Sequence, residues 1–387
     1  MGWFKSGLSR FLLSLVVVTG SFYSLSSQAR FIDKSSCVRL FNDDDGGAAR
    51  RLTSVPKTDD SRTQAVPLKE NKRFTIATWN TFDLKLLKGQ QPNRRKGIPD
   101  VKQPWAVEEM KHVVADINAD LYIFQEVWGN DNLKEFNREV LDDQYDTYLI
   151  KGNDERGIQI GFAVRKGMNV DIVHETNRDL RWTDDSGRDR PAFSRDLPVL
   201  YLKQRDGSGK SAKDAPDLIV LGAHFKSKRT DNPSDPESNK YRRAHAERAA
   251  EIYRQLEADH PGTPIVLGGD FNGDIVNDPE LQPLRDAMSE SLNLMGDKLS
   301  RDEKVTHTFH PYKQRMKASQ LDGLFLNKVM ESRLVEAFVY HYKDATGKIK
   351  RYIGDWANKI YPIFFKQRAQ NPSDHMPVVG VYDMTRS

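Results

Sequence analysis

The sequence predicts an α/β fold in which sheets lie between helices, and two patterns support this. Short apolar or β-branched runs, typical of buried strands, recur from Phe74 to Tyr382. Between them, Trp105–Asn118 and Tyr241–Ala258 carry apolar residues at helical spacing. Alternation of the two patterns along one chain is typical of layered α/β domains. No convincing break follows residue 74, so we expect one domain over residues 73–387.

The predicted strands are short and mostly apolar. They are Phe74–Trp79, Leu121–Gln125, Gln159–Val164, Val199–Leu202, Leu218–Ala223, Ile265–Leu267, Leu321–Leu326 and Val378–Tyr382. The first predicted helix follows Pro104, which is a common first helical residue. The apolar residues on one face of the two helices are Val107, Met110, Val113, Val114 and Ile117, and Ala249, Ile252, Tyr253 and Leu256.

Segments without either pattern are predicted to be loops, where specificity commonly resides. They are Lys85–Pro104, Arg178–Arg190, Asp231–Lys240 and His341–Arg368. The last of these loops carries aromatic residues among lysines and arginines.

Composition excludes several classes of protein. The chain has 387 residues, 38% of them hydrophobic and 10% aromatic, which is too apolar for a disordered chain. A net charge of +4 is too small for a histone-like binder of nucleic acid. The single cysteine excludes an intramolecular disulfide, a CxxC redox site and a cysteine-built zinc site. A mean hydropathy of −0.67 excludes a polytopic membrane protein.

The N-terminus has the pattern of a cleavable signal peptide over residues 1–29. Met1–Arg10 is positive, Phe11–Thr19 is apolar, and Ser27-Gln28-Ala29 is a small-x-small cleavage site. The apolar run is shorter than the ~20 residues that span a bilayer, although an uncleaved anchor remains the alternative. Residues 30–72 are polar and are predicted to form a linker or arm. We therefore expect an exported protein, secreted or, in a bacterium, periplasmic.

Side chains that can bind a metal ion or take part in catalysis lie at the ends of predicted strands, where the ligands of layered sheets usually bind. They are Asn80, Glu126, His224, Asp270, Asn272, Asp322, Asp374 and His375. Carboxylate and amide oxygens such as those of Glu126 and Asp374 suit Mg²⁺, with Mn²⁺ or Ca²⁺ as alternatives. Asp270 could orient and deprotonate water, and a histidine held by Asp322 could donate to a phosphoryl oxygen. This inventory favours metal-assisted hydrolysis of a phosphate ester.

Several blocks resemble the endonuclease/exonuclease/phosphatase superfamily, the DNase I-like proteins, from about Phe74 to Val381. The blocks are Trp79-Asn80, Gln125-Glu126, Gly269-Asp270-Phe271-Asn272, Leu321-Asp322 and Ser373-Asp374-His375. The resemblance implies a four-layer α/β sandwich of two packed mixed β-sheets flanked by helices. It also implies a metal-dependent phosphoric ester hydrolase with a Mg²⁺-type cofactor.

The resemblance also implies a role for each matching residue. Glu126 would be the principal metal ligand, helped by Asn80 and Asp374. Asp270 would align the attacking water, and Asn272 would hold the phosphate. The remaining assignments are His375 as the phosphate-facing histidine, Asp322 as its orienting partner, His224 as the proton donor for the leaving group, and Arg195 on the phosphate path.

One departure weakens the assignment of His224. DNase I pairs the corresponding histidine with a glutamate on a neighbouring strand, whereas the strand Gln159–Val164 has no carboxylate. The nearest acidic residues are Asp154 and Glu155, just before that strand.

The substrate expected is nucleic acid, DNA or RNA. Gly152–Ile158, Phe193–Pro198 and His224–Lys228 resemble the bacterial extracellular nuclease branch of the superfamily. The basic residues Lys226, Lys228 and Arg229 could contact phosphates flanking the scissile one. The alternatives are a secreted sphingomyelinase-like phospholipase, whose aromatic loop His341–Arg368 would contact a phospholipid membrane, and a non-catalytic phosphate-binding module. No protein partner is implied, and a monomer is expected.

Overall fold

The computed structural model describes residues 66–88, 101–206, 209, 215–229, 232–309, 317–342 and 372–386, all within the unit Ser54–Ser387. The predicted signal peptide, most of the polar arm and the aromatic loop after Tyr342 lie outside the described residues. Within those residues, no helix is long and apolar enough to cross a membrane.

Strands and helices alternate along the described chain. In chain order the strands are β1 (Phe74–Leu84), β2 (Leu121–Val127), β3 (Tyr145–Tyr148), β4 (Gln159–Arg165), β5 (Val170–Glu175), β6 (Arg181–Thr183), β7 (Asp189–Pro191), β8 (Val199–Gln204), β9 (Leu218–His224), β10 (Ile265–Asp270), β11 (Ser289–Glu290), β12 (His307–Phe309), β13 (Lys317–Ser319), β14 (Asp322–Leu326), β15 (Leu334–Val339) and β16 (Val378–Tyr382). The helices are α1 (Pro104–Ile117), α2 (Gly129–Val140), α3 (Asn239–Asp259), α4 (Gln282–Ala287), α5 (Ser291–Leu294) and α6 (Lys328–Arg333).

Two mixed six-stranded sheets form the centre of the domain. The first has the strand order β15-β16-β1-β2-β4-β3, and the second has the order β11-β14-β10-β9-β8-β5. The central pairs β1–β2 and β9–β10 are parallel, and their outer neighbours run antiparallel. Because parallel neighbours end at the same sheet edge, each sheet brings two strand ends to one edge.

Two apolar cores hold the layers together. The larger core joins the two sheets, with Val220 and Val266 of the second sheet in one cluster with Ile123 and Phe162 of the first. The smaller core lies between the opposite face of the second sheet and the apolar face of α3. Side chains of a strand alternate between faces, so neighbouring residues on β9 and β10 enter different cores. The predicted α/β sandwich of two mixed sheets with flanking helices is thus confirmed.

The predicted strands and both long helices are present, with boundaries shifted by a few residues. One predicted loop, Arg178–Arg190, instead contains the hairpin β6–β7. Trp182 of this hairpin stacks on Tyr241, with ring centroids 5.2 Å apart. The hairpin forms because a distant aromatic residue covers it, which its own charged sequence does not indicate.

The structure describes the predicted polar arm, residues 30–72, only from residue 66, and these last residues contact the domain. Leu68 is fully buried in the larger core, and Asn71 is buried beside Asp120. Lys69 also forms an ion pair with Asp217, with Nζ and Oδ1 2.6 Å apart. One leucine in a polar stretch suffices to attach these residues to the domain, because its burial contributes about 1.5–3 kcal/mol.

Candidate functional site

Three predicted site residues lie side by side at one edge of the second sheet. Asp270, the last residue of β10, is in register with His224 on β9 and with Asp322 on β14. Residues in register on neighbouring strands point to the same face of a sheet. Gly269 allows the close strand approach, since a Cβ there would lie 2.0 Å from the carbonyl oxygen of Ala223. The strand pairing alone therefore brings two carboxylates and an imidazole together.

Asp270 is the hydrogen-bonding centre of this group. Its Oδ1 accepts from the backbone N–H of Asn272 at 2.8 Å. Its Oδ2 accepts from the side-chain amides of Asn272 and Asn80, each at 3.0 Å. The pKa of Asp270 is raised to about 7, mainly by burial. The charge of His375 opposes this rise, and the charge of Asp322 adds to it. A carboxylate with a pKa near neutrality and a fixed orientation has the properties of a general base.

His375 and Asp322 form a second hydrogen-bonded pair. Nδ1 of His375 lies 2.8 Å from Oδ2 of Asp322, and its Nε2 lies 3.9 Å from Oδ2 of Asp270. Burial alone lowers the pKa of His375, but Asp322, Asp270 and Asp374 outweigh it and raise the pKa to about 10. The ring is therefore an imidazolium near neutral pH, with one N–H directed at its carboxylate partner.

The loop that carries His375 is fixed to the first sheet. Ser373 Oγ donates to the backbone carbonyl of Asn80 at 2.6 Å and accepts from the backbone N–H of His375 at 3.1 Å. His307 forms an isolated β-bridge with His375, and their rings lie 4.6 Å apart. The Ser373 bond joins this loop to β1, and the bond between His375 and Asp322 joins it to β14 of the second sheet, so both sheets contribute to one site.

The predicted metal ligand Glu126 lies in a group of three carboxylates, the acidic group, which consists of Asp83, Glu126 and Asp374. Glu126 Oε2 accepts from the backbone N–H of Asp83 at 2.9 Å. Burial raises the pKa of Glu126, and the charges of Asp83 and Asp374 raise it further. Asp83 was not predicted as a site residue, although it lies only three residues after Asn80 in the same strand.

The acidic group fits a hard divalent cation. Its donors are carboxylate oxygens of half-buried side chains, and a bound cation would relieve the repulsion that Asp83 and Asp374 exert on Glu126. The Asn80 amide lies between this group and Asp270, because its Nδ2 donates to Asp270 and its Oδ1 accepts from the backbone N–H of Phe82.

A second set of possible ligand atoms consists of Asp270, Asp322 and His375, whose ligand atoms lie within 4.8 Å of one another. Here the ring nitrogen Nδ1 of His375 already makes a hydrogen bond to Asp322. Oδ1 of Asp322 is the remaining buried oxygen without a hydrogen-bond partner. Among the described residues, this is the one set of His, Asp and Glu side chains whose ligand atoms lie that close together.

Backbone strain is concentrated at these loops. Phe82, Asp83, Glu126 and Asn272 have φ values of 51°, 52°, 62° and 51°, in the left-handed region that most side chains avoid. For Glu126 this conformation accompanies an irregularity in the pairing of β2 with both of its neighbours. Such bulges redirect a side chain, and strain of this kind is frequent at functional sites.

His224 lies beside Asp270, in electrostatic surroundings that differ from those of His375. Its Nε2 lies 3.6 Å from Oδ2 of Asp270, while its Nδ1 is buried without a partner. Burial lowers the pKa of His224 well below its ordinary value, and Arg195 and Arg156 lower it further. These surroundings disfavour the protonated form of the ring, and the proton-donor role of His224 stays a prediction.

A positively charged cluster lies beside His224. We call it the cationic wall, and it consists of Arg195, Asp154 and Arg156. Asp154 does not replace the missing partner of His224; its Oδ2 lies 3.3 Å from Nε of Arg195 and 2.9 Å from Nη2 of Arg156. Nη1 of Arg195 donates to the carbonyl of Phe225 at 3.0 Å. Two guanidinium groups share one carboxylate, so the wall has a net positive charge. Arg156 was not predicted, since it lies in a polar segment without a motif of its own.

The predicted basic residues after β9 are only partly directed outward. Lys226 Nζ donates to the backbone carbonyl of Ser227 at 3.2 Å and to that of Arg229. Burial and the charges of the neighbouring arginines together lower the pKa of Lys226 to about 8. Lys228 forms an ion pair of 3.2 Å with Asp278. The structure thus places Lys226 next to the cationic wall and Lys228 on a neighbouring ion pair.

A buried ion pair supports this segment from behind. Arg242 of α3 is fully buried, and its guanidinium donates to Glu280 through Nη2 at 2.7 Å and Nε at 3.1 Å. Its Nη1 also donates to the backbone carbonyl of Lys226 at 3.2 Å. The position of the basic segment therefore depends on residues far from it in sequence.

No protein-family model and no curated protein sequence matches the chain. Its structure is similar to that of TDP2 from Caenorhabditis elegans, with a TM-score of 0.50, 16% identity, and coverage of 80% of this chain and 97% of that one. It is also similar to an endonuclease/exonuclease/phosphatase family protein from Bacteroides thetaiotaomicron, with a TM-score of 0.49, 17% identity, and coverage of 81% and 96%. It is similar as well to the catalytic domain of human Nocturnin, with a TM-score of 0.48, 12% identity, and coverage of 81% of this chain and 95% of that one. The chain therefore shares its fold with the TDP2 structure from Caenorhabditis elegans.

Proposed function

We propose that this protein is a metal-dependent phosphodiester hydrolase that cleaves nucleic acid. The observation that carries the proposal is the position of Asp270. This buried carboxylate is oriented by two asparagine side chains, lies within 3.9 Å of two histidine nitrogens and stands next to the acidic group. Burial raises the pKa of this carboxylate toward neutrality, which suits a general base.

Asp270 is the residue suited to accept a proton from the attacking water. Its Oδ2 receives hydrogen bonds from Asn80 and Asn272, which fix the direction in which its remaining lone pairs point. At about pH 7 a substantial fraction of the group is the carboxylate, and its basicity is far above that of an ordinary aspartate.

His375 is suited to stabilise charge on the phosphate. Asp322 holds the ring and keeps it protonated, so Nε2–H provides a charge-assisted hydrogen bond on the side that faces Asp270. This donor is fixed before the substrate binds, which is the condition for strong electrostatic stabilisation of a transition state.

The acidic group, Asp83, Glu126 and Asp374, would hold the divalent cation. When bound there, the cation supplies positive charge that counters the negative charge of the phosphodiester. Asn80 links this group to Asp270 through one amide, and it sets the spacing between the two parts of the site.

Nucleic acid is the substrate that the electrostatics favour. The cationic wall and Lys226 lie beside His224 and Asp270, where a phosphate next to the scissile one would bind. Successive phosphates are a property of DNA and RNA and not of a single phospholipid headgroup. The aromatic loop on which a phospholipase would depend lies outside the described residues.

The test is hydrolysis of three substrates by the full chain with and without Mg²⁺. The substrates are supercoiled plasmid, a structured RNA and sphingomyelin vesicles, with His375→Ala as the site variant and His112→Ala, on the exposed face of α1, as the matched control. We expect metal-dependent cleavage of plasmid or RNA, reduced by ~10²-fold or more in His375→Ala and unchanged in the control. Phosphocholine release with intact nucleic acid would refute the proposed substrate.

We also propose that the protein is exported, on the basis of the signal-peptide pattern over residues 1–29. Expression of the full chain in a bacterium, followed by N-terminal sequencing of the protein outside the cytoplasm, tests this. Cleavage after Ala29 is expected, and retention of the intact chain in the cytoplasm would contradict it.

A further inference from the structure

Thr306 links the two chain segments that carry Asp322 and His375. It lies just before β12 and is fully buried. Its Oγ1 accepts from the backbone N–H of Asp322 at 3.0 Å and from that of Leu321 at 2.9 Å. Its backbone carbonyl accepts from the N–H of Met376, one residue after His375, at 2.9 Å. One residue therefore holds the backbone on both sides of the hydrogen bond between His375 and Asp322.

The position of Thr306 is itself fixed by the hairpin of β12 and β13. Its backbone N–H donates to the carbonyl of Ser319 at 3.1 Å, and the next residue, His307, is in register with Ser319. His307 also forms the β-bridge with His375, whose ring lies 4.6 Å from its own. The hairpin thus places Thr306 between the loop that carries His375 and the start of β14, where Asp322 lies.

This link matters because strand pairing does not set the distance between Asp322 and His375. Asp322 belongs to β14 of the second sheet, whereas His375 precedes β16 of the first sheet. Their side chains nevertheless approach to 2.8 Å. A hydrogen bond weakens steeply when its donor and acceptor are misaligned, so a contact that holds both backbones is needed to keep the pair in place.

We infer that Thr306 is a positioning residue of the site, whose Oγ1 and carbonyl hold Asp322 and His375 in the alignment that their hydrogen bond requires. Because Thr306 is fully buried, it acts through this pair and not on the substrate. Loss of Oγ1 should therefore disturb the donor that His375 directs at the phosphate and leave substrate binding unchanged. The expected effect on the rate rests on the proposed function, whereas the geometry of the pair can be measured without substrate.

The experiment compares two substitutions of Thr306 with a matched control in the full chain. Thr306→Val keeps the size of the side chain and removes the acceptor, and Thr306→Ser keeps the acceptor and removes the methyl group. The control is Thr308→Val, because Thr308 is also buried, in β12, but its Oγ1 has no hydrogen-bond partner among the described residues.

The first readout is the steady-state rate on the nucleic acid that the wild type cleaves, with Mg²⁺ present. For Thr306→Val we expect kcat lower by about tenfold or more and KM within about twofold of the wild type, because the pair is misplaced while binding is kept. For Thr306→Ser and Thr308→Val we expect both constants within about twofold of the wild type.

The second readout is the proton NMR signal of Nδ1–H of His375, which its bond to Asp322 shifts downfield. The signal is assigned by its absence in His375→Ala, and no substrate is needed. We expect it in the wild type, in Thr306→Ser and in Thr308→Val, and we expect its loss or an upfield shift in Thr306→Val. A threonine that only stabilised the hairpin would lower the melting temperature when replaced, without changing this signal or kcat.

A wild-type kcat in folded Thr306→Val would overturn the inference, and so would an unchanged NMR signal. A loss shared by Thr306→Ser would also overturn it, because the acceptor would then not be the cause. Thr306→Ala lacks the same acceptor and gives the same decision if Thr306→Val does not fold. A wild type that cleaves no nucleic acid would contradict the proposed function alone, and the NMR signal would still decide the role of Thr306.

Discussion

The Asp322→Asn variant isolates the electrostatic contribution of the pair formed by Asp322 and His375. The substitution preserves the size of the side chain but removes the charge that contributes most to the raised pKa of His375. Burial then acts without this compensation, so we expect the pKa to fall from about 10 to the ordinary value of 6.5 or below.

The size of the effect follows from the protonated fraction of His375. At pH 8 the wild-type ring is almost fully protonated, whereas a ring with a pKa of 6.5 is protonated in about one molecule in thirty. The rate should therefore fall ~30-fold at pH 8, by about tenfold more at pH 9, and only about twofold at pH 6.5. The substitution also changes the surroundings of Asp270, whose pKa Asp322 raises and His375 lowers, so the rates are read together with a direct titration of the His375 ring.

The assay is the rate of phosphodiester hydrolysis between pH 6 and 9, with an NMR titration of the His375 ring as the direct readout. The control is Asp383→Asn, which removes a surface carboxylate bonded to Arg386 and Thr385. A loss of the same size at every pH would refute the reasoning, because it would assign Asp322 to packing alone.

The contribution of the Asp322–His375 pair to the free energy of unfolding should also depend on pH. The folded-state pKa of His375 lies above its unfolded value, so its stabilising contribution is fully present below about pH 6.5 and is lost as pH rises through about 10. The difference in free energy of unfolding between wild type and Asp322→Asn should shrink in that direction.

Further predictions concern the base, the cationic wall and its support. The wild-type rate should rise between pH 6 and 8 with an apparent pKa near 7, the value to which burial raises Asp270; a flat profile over that range would exclude Asp270 as the base. Arg195→Met should lower kcat/KM on DNA by about tenfold or more through loss of a phosphate contact, and steady-state kinetics that matched the wild type would remove Arg195 from the phosphate path. Glu280→Ala should lower the free energy of unfolding by about 3–5 kcal/mol, because it leaves Arg242 buried and unpaired; an unchanged urea midpoint would contradict this.

The sequence was informative where buried strands and the residues at their ends stand next to each other in the chain. Runs such as Ile265–Leu267 identify a strand, and the residue type of Asp270 just after it indicates chemistry. The strand register then brings Asp270, His224 and Asp322 together without further information. This part of the site could be predicted because it depends on local pattern and on simple sheet geometry.

The remaining residues could not be predicted, because their positions depend on contacts between distant segments. Arg156 acquires a role from Asp154 and Arg195, and no periodic pattern marks it. The lowered pKa of His224 follows from burial and nearby arginines, which the sequence does not reveal. Asp83 is the exception, since its position three residues after Asn80 was visible.

The most direct test of the central claim is plasmid cleavage by Asp270→Asn in the presence of Mg²⁺. Asparagine keeps the shape of the side chain and removes its ability to accept a proton, and Asp286→Asn on the exposed side of α4 is the control. We expect metal-dependent cleavage by the wild type and the control, and a rate at least ~10³-fold lower in Asp270→Asn. Cleavage by Asp270→Asn within a few-fold of the wild-type rate would exclude Asp270 as the general base.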